Sequence, residues 1–154
     1  MSTMSVSASM EAKLLETLRA LVPEVRSVGL LETADAGALK DEDLTTIQVR
    51  AYNFVQTREA SPFFTLSAEI RLYVEQAESA NGGLFRDAHE KIALWLEGVM
   101  EDVDGSLDTD RVCVDGLQRN GDDKDFDTMT GEWFAVWDVT LSGRIKPTEE
   151  QEET

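Results

Sequence analysis

Residues 125–145, DFDTMTGEWFAVWDVTLSGRI, constrain the fold more than any other part of this chain. A polar turn ending in Gly131 feeds an alternating run in which Trp133, Ala135, Trp137, Val139, Leu141 and Ile145 share one side. Alternation with period two over that length predicts a strand with one buried face. Such a strand needs a sheet, and the sheet needs an apolar layer laid across it.

The rest of the chain supplies both. Residues 10–22 predict an amphipathic helix, with Leu14, Leu15, Leu18, Leu21 and Val22 at helical spacing. Glu11, Lys13, Glu16 and Arg19 are read as facing outward, Ser9 as the N-cap and Pro23 as the stop. Residues 25–31 read as a short strand weakened by Gly29, and 32–46 as a polar, acidic connection. Residues 47–55 and 63–75 alternate and predict an antiparallel pair. Asn81-Gly82-Gly83 reads as a turn before a helix over 84–100, whose apolar stripe is Leu84, Phe85, Ala88, Ile92, Trp95, Leu96 and Val99. Residues 112–117 read as a short strand, and Asn120-Gly121 as the start of another connection.

Strands that follow one another without a helix between each pair exclude a doubly wound fold. The prediction is one α+β domain over residues 10–146. Its mixed, mostly antiparallel sheet has four to five strands, with two main helices packed on it. Residues 1–9 and the acidic 147–154 are read as disordered ends. At 154 residues the chain suits one domain with a real core.

Composition narrows the function. The net charge of −17 repels phosphate backbones and anionic membranes, and no basic cluster offsets it. Cys113 is the only cysteine, so no intrachain disulfide forms. The opening MSTMSVSASM has neither a basic nor an apolar signal region, and no apolar run reaches the ~18–20 residues that span a bilayer. The expectation is a soluble protein made in a cytoplasm.

Catalytic signatures are missing from this reading. His89 is the only histidine and sits at the edge of the helix stripe, with no Cys or His partner to make a nucleophile–base pair. Asp102, Asp104, Asp108 and Asp110 alternate as calcium ligands do, as do Asp123, Asp125 and Asp127. Neither loop has both the Gly and the bidentate Glu that an EF-hand requires. Turn formation and solubility explain both loops. The chain is therefore read as a non-enzyme with no cofactor and no metal.

Lengths point to assembly. A helix over 84–100 covers about 26 Å at 1.5 Å per residue, whereas a strand over 132–145 extends about 46 Å at 3.3 Å per residue. Unless the N-terminal helix covers the excess, apolar side chains are left in water. Phe63, Phe64, Trp133, Phe134 and Val136 are the candidate subunit interface.

The element order, the strand PFFTLSAEIRLYVE and the segment Phe126-Asp127, Thr130-Gly131 and Trp133 before the last strand carry a resemblance. Over most of residues 10–146 the chain resembles the tail-terminator and tail-completion proteins of tailed bacteriophages, the minor tail protein U type and related head–tail joining proteins. That resemblance implies a homo-oligomeric ring, commonly a hexamer, in the virion at the end of the tail. The ring would stop tail polymerisation, contact the tail-tube protein and head connector, and let DNA pass its acidic lumen. Assembly would take place in the host cytoplasm, away from membranes. The long acidic connection at 32–46 and the acidic tail depart from the family pattern. Two readings from other classes stay open: a small-molecule-binding or regulatory domain, and an enzyme subunit completed by a partner.

Overall fold

The computed structural model describes residues 5–29, 45–56, 62–74, 79–127 and 132–146, and the side chains of 74, 79–82, 121–127 and 132–134 lie outside the description. Its elements are α1 (Val6–Leu21), β1 (Arg26–Gly29), β2 (Thr46–Gln56), β3 (Phe63–Val74), α2 (Ser79–Glu101), β4 (Val112–Asp127) and β5 (Glu132–Ile145). The strands form one five-stranded sheet in the order β1-β2-β3-β5-β4. β1 pairs with β2 in parallel, and the other three ladders are antiparallel. This is the expected α+β fold with a mixed, mostly antiparallel sheet and two helices.

α1 starts earlier than its apolar stripe suggests. Ser5, with extended backbone, is the cap, and its Oγ accepts from Ala8 N at 3.0 Å. Residues 6–9 are therefore the first turn of a helix, not a disordered end, because Val6 and Met10 both reach the core. Ser9, read as the cap, is buried and donates its Oγ to Val6 O at 3.0 Å. Glu11 is not outward: it is 7% exposed, and its Oε1 accepts from Ala51 N at 3.3 Å. Ala51 lies two residues beyond the last described β1–β2 pair, Gly29–Val49, and the Glu11 carboxylate is the acceptor of its amide.

α1 packs on β1 and β2, and α2 on β3 and β4. One core cluster lies between helices and sheet, built from Leu14, Leu18, Ile70, Ile92, Leu96 and Trp137 among others. Alternate residues of each strand feed it: Leu66, Ala68, Ile70 and Leu72 from β3, and Ala135, Trp137, Val139 and Leu141 from β5. The opposite alternates, such as Thr65, Ser67, Arg71, Thr140 and Arg144, are half-buried or exposed. Among the described residues, neither α1 nor α2 lies over that second face of the sheet.

Two polar sites read as turns lie inside regular elements. Asn81-Gly82-Gly83 falls within α2, which runs for 23 residues, about 35 Å at 1.5 Å per residue. Asn120-Gly121 falls within β4, a 16-residue strand paired with β5 over its length. A register shift between Arg119 and Gly121 accommodates the pair, as bulges do. The longer helix removes a little under half of the length mismatch expected between helix and sheet. Asp123, Asp125 and Asp127 consequently sit on a strand and not in a loop.

Candidate assembly surface

Among the described residues, Leu94 stands alone as an exposed apolar side chain on α2, whereas Tyr52, Val55 and Phe63 gather at one corner of the open sheet face. β2 carries one extra residue between Tyr52 and Val55, where the pairing skips from Ser67 to Thr65. Asn53 absorbs the irregularity with φ of 58°, a conformation that Asn tolerates better than most residues. The extra residue reverses the alternation. Val55, which would otherwise continue the Val49–Ala51 side, pairs with the outward Thr65 and is 47% exposed. Beside it on the same sheet, Phe63 is 51% exposed and Tyr52 38%. The Arg50 guanidinium lies 4.6 Å from the Tyr52 ring centroid. Cation–π contact of that kind holds the ring in place at an exposed site for ~0.5–1 kcal/mol.

The five interface candidates do not form one surface. Phe63 is at this corner. Phe64 is 1% exposed, belongs to the core and meets the Phe54 ring in a tilted contact at 5.6 Å, so it offers nothing to a neighbour. The reason is alternation: with Phe63 outward, the next residue must point inward. Trp133 pairs with Val74 and Phe126, and Phe134 with Tyr73 and Asp125, at the far end of the sheet. Val136 is half-buried near that far end, opposite Arg71. Tyr52, Phe54 and Val55 were not singled out from the sequence. The strand irregularity turns Val55 outward, and the chain carries no Gly or Pro there to announce it.

Behind the corner, a groove of about 320 Å³ is lined by Pro62, Cys113, Arg144, Ile145 and Lys146. Backbone bonds fix its walls: Ile145 N donates to Pro62 O at 2.7 Å, and Lys146 N to Arg111 O at 2.8 Å. A second cavity, of about 360 Å³, lies beside α2 and is lined by Phe85, Arg86, His89 and Glu90. His89 is half-buried, its ring 5.2 Å from that of Trp137 and 6.3 Å from that of Phe85. Those contacts make it a residue at the core boundary.

The acidic segment before β4 is held by its own hydrogen bonds. Asp108 Oδ1 accepts from Val114 N at 2.9 Å, and Thr109 Oγ1 accepts from Arg111 N and Val112 N. Asp104 and Gly105 turn the chain there with positive φ. Among the described residues, no group of three or more His, Cys, Asp or Glu is placed to hold a metal ion. Among them, too, no helix is long and apolar enough to cross a membrane.

The chain matches no protein-family model, and no curated protein shows significant similarity to it.

Proposed function

We propose that this chain is a structural virion protein that forms a ring at the end of a phage tail tube. The ring ends tail polymerisation and presents the surface to which the head connector docks. Its partners are further copies of itself, the tail-tube protein and the connector, and DNA passes through its lumen unbound. Its work is occlusion and docking, without turnover.

The observation that carries the reading is the exposed corner of Tyr52, Val55 and Phe63 on a sheet face that neither helix covers. Burying each such side chain fully is worth roughly 1.5–3 kcal/mol, so a handful of them repeated around a ring holds copies together. The second support is the resemblance carried by Phe126-Asp127, Thr130-Gly131 and Trp133. The third is charge: at −17 per copy, a lumen lined by such surfaces repels DNA and lets it slide.

The competing reading, a small-molecule-binding domain, would place its ligand in the cavity beside Phe85 and His89. Particle mass by light scattering, followed by negative-stain imaging, separates the two. Rings with a central hole support the tail reading. A compact monomer or dimer across the micromolar to high-micromolar range, with or without tail tubes present, sinks it.

A further inference from the structure

We infer that the contact between copies is directional: the Arg144 groove of one copy receives the acidic β4–β5 hairpin end of the next. This rests on the ring reading and adds to it which surfaces meet and what chemistry joins them.

The groove is an exception on an acidic molecule. Its described lining holds two cations, Arg144 and Lys146, and no carboxylate. Lys146 is engaged, its Nζ donating to Thr109 O at 2.7 Å. Arg144 is exposed, and among the described residues its side chain forms no ion pair. It stands directly opposite the exposed Phe63 in the β3–β5 ladder. A free guanidinium beside an exposed aromatic ring, on walls pinned by backbone bonds, is suited to an anionic segment that also carries apolar side chains. Asp110 and Asp115 are exposed on neighbouring stretches, and Asp108 is engaged with Val114 N. The acceptor site is thus narrow and centred on Arg144.

The chain itself contains the complement. Register sets Asp122, Asp123, Asp125 and Asp127 on the last part of β4, with Asp125 opposite Phe134 and Phe126 opposite Trp133 on β5. Acidic and aromatic positions thus share that end of the sheet. One copy cannot satisfy itself, because Cys113 pairs with Arg144 whereas Asp125 pairs with Phe134. Those two positions on β5 are about 33 Å apart at 3.3 Å per residue. The occupant is a second copy. Two different surfaces at opposite ends of one body make a head-to-tail contact, which closes into a ring when the rotation between copies allows.

A charge swap tests the inference, with particle mass by light scattering as the readout and thermal melting as the check on folding. Arg144→Glu and Asp125→Arg should each raise the concentration for half-assembly about tenfold or more, a change on the order of one broken interfacial charge pair. The double variant should return to within about threefold of the parent. A second measurement uses the natural thiol. Asp125→Cys treated with a bifunctional maleimide should give a ladder of linked copies through Cys113, and the parent chain should give none. If the parent forms rings but Arg144→Glu assembles as the parent does, or linking stops at dimers, the directional contact is wrong and the ring reading survives. A parent that never assembles removes both.

Discussion

Phe63 and Arg144 face one another at one end of the β3–β5 ladder. The pair Val74–Trp133 closes the other end, about 36 Å away along the strands at 3.3 Å per residue. Residues that looked like parts of one apolar overhang therefore belong to two separate ends. An isologous dimer needs one patch that fits itself, whereas a ring needs two patches that fit each other. The separation is what the second case requires.

The first prediction contrasts neighbours in sequence. Phe63→Glu should leave the melting temperature nearly unchanged and abolish higher-order particles in sedimentation, since Phe63 is half exposed. Phe64→Glu should instead unfold the domain, because a carboxylate replaces a side chain only 1% exposed. Trp133→Glu should reduce particle size. Unchanged sedimentation of the folded Phe63→Glu and Trp133→Glu proteins would remove the role assigned to both ends.

Glu11 should be a stability residue despite its charge. Glu11→Ala leaves the Ala51 amide without its acceptor, at a cost of about 1–3 kcal/mol. Gly29→Ala should cost a similar amount, about 1–3 kcal/mol by overpacking. A methyl there would lie 2.7 Å from Glu11 Oε2 and 2.9 Å from Leu15 Cδ1. Denaturant titration of the two single variants and the double should show non-additive losses; strict additivity would mean that the two positions do not share this contact.

Gly143→Ala should be among the most damaging small substitutions. A Cβ at this position on β5 would collide with the carbonyl of Cys113 and approach Val114 Cα at 2.9 Å, both backbone atoms of β4. Neither can swing away as a side chain would. The expected loss is about 3 kcal/mol, with faster amide exchange in β4. Exchange rates in β4 that match the parent would contradict the close approach.

Trp137→Phe should be nearly silent. The Trp137 side chain is fully buried, and among the described residues its Nε1 has no hydrogen-bond partner. Losing the N–H relieves an unsatisfied donor while the smaller ring opens a little space, so the net change should stay within about 1 kcal/mol. Trp137→Ala should cost about 3–5 kcal/mol. Chemical denaturation followed by circular dichroism distinguishes the two, and a large loss for Trp137→Phe would reveal a partner for the indole.

Alternation made much of this architecture legible. Leu66, Ala68, Ile70 and Leu72, and then Ala135, Trp137, Val139 and Leu141, are buried as their period requires. Phe85, Ala88, Ile92, Leu96 and Val99 of the helical stripe are buried for the same reason, and Trp95 is half-buried. What local pattern could not convey was context. Asn-Gly at 120–121 is a strong turn signal in isolation, yet β5 runs alongside and pairing carries β4 through it with a bulge. Ser5 and Ser9 are equally good caps by type, and only the burial of Val6 chooses between them. Glu11 lies inward because its carboxylate accepts from Ala51 N on β2, a strand remote from it in sequence. The exposed corner was missed for a related reason. Asn53 reverses the alternation by one residue, so that Val55 at the end of β2 changes face.

β4 bounds the sheet on one side with 16 residues, and its pairing slips twice, between Val114 and Gly116 and between Arg119 and Gly121. Growth along a regular edge has no natural stop, because each added copy offers the next one a fresh edge and the product is a fibre. Twice-bulged and studded with aspartates, this edge is a poor template for that process. In the proposed ring, copies would meet through the ends of the body, where the angle from one copy to the next decides how many complete a turn. On that reading the size of the assembly is encoded as an angle and not as a length.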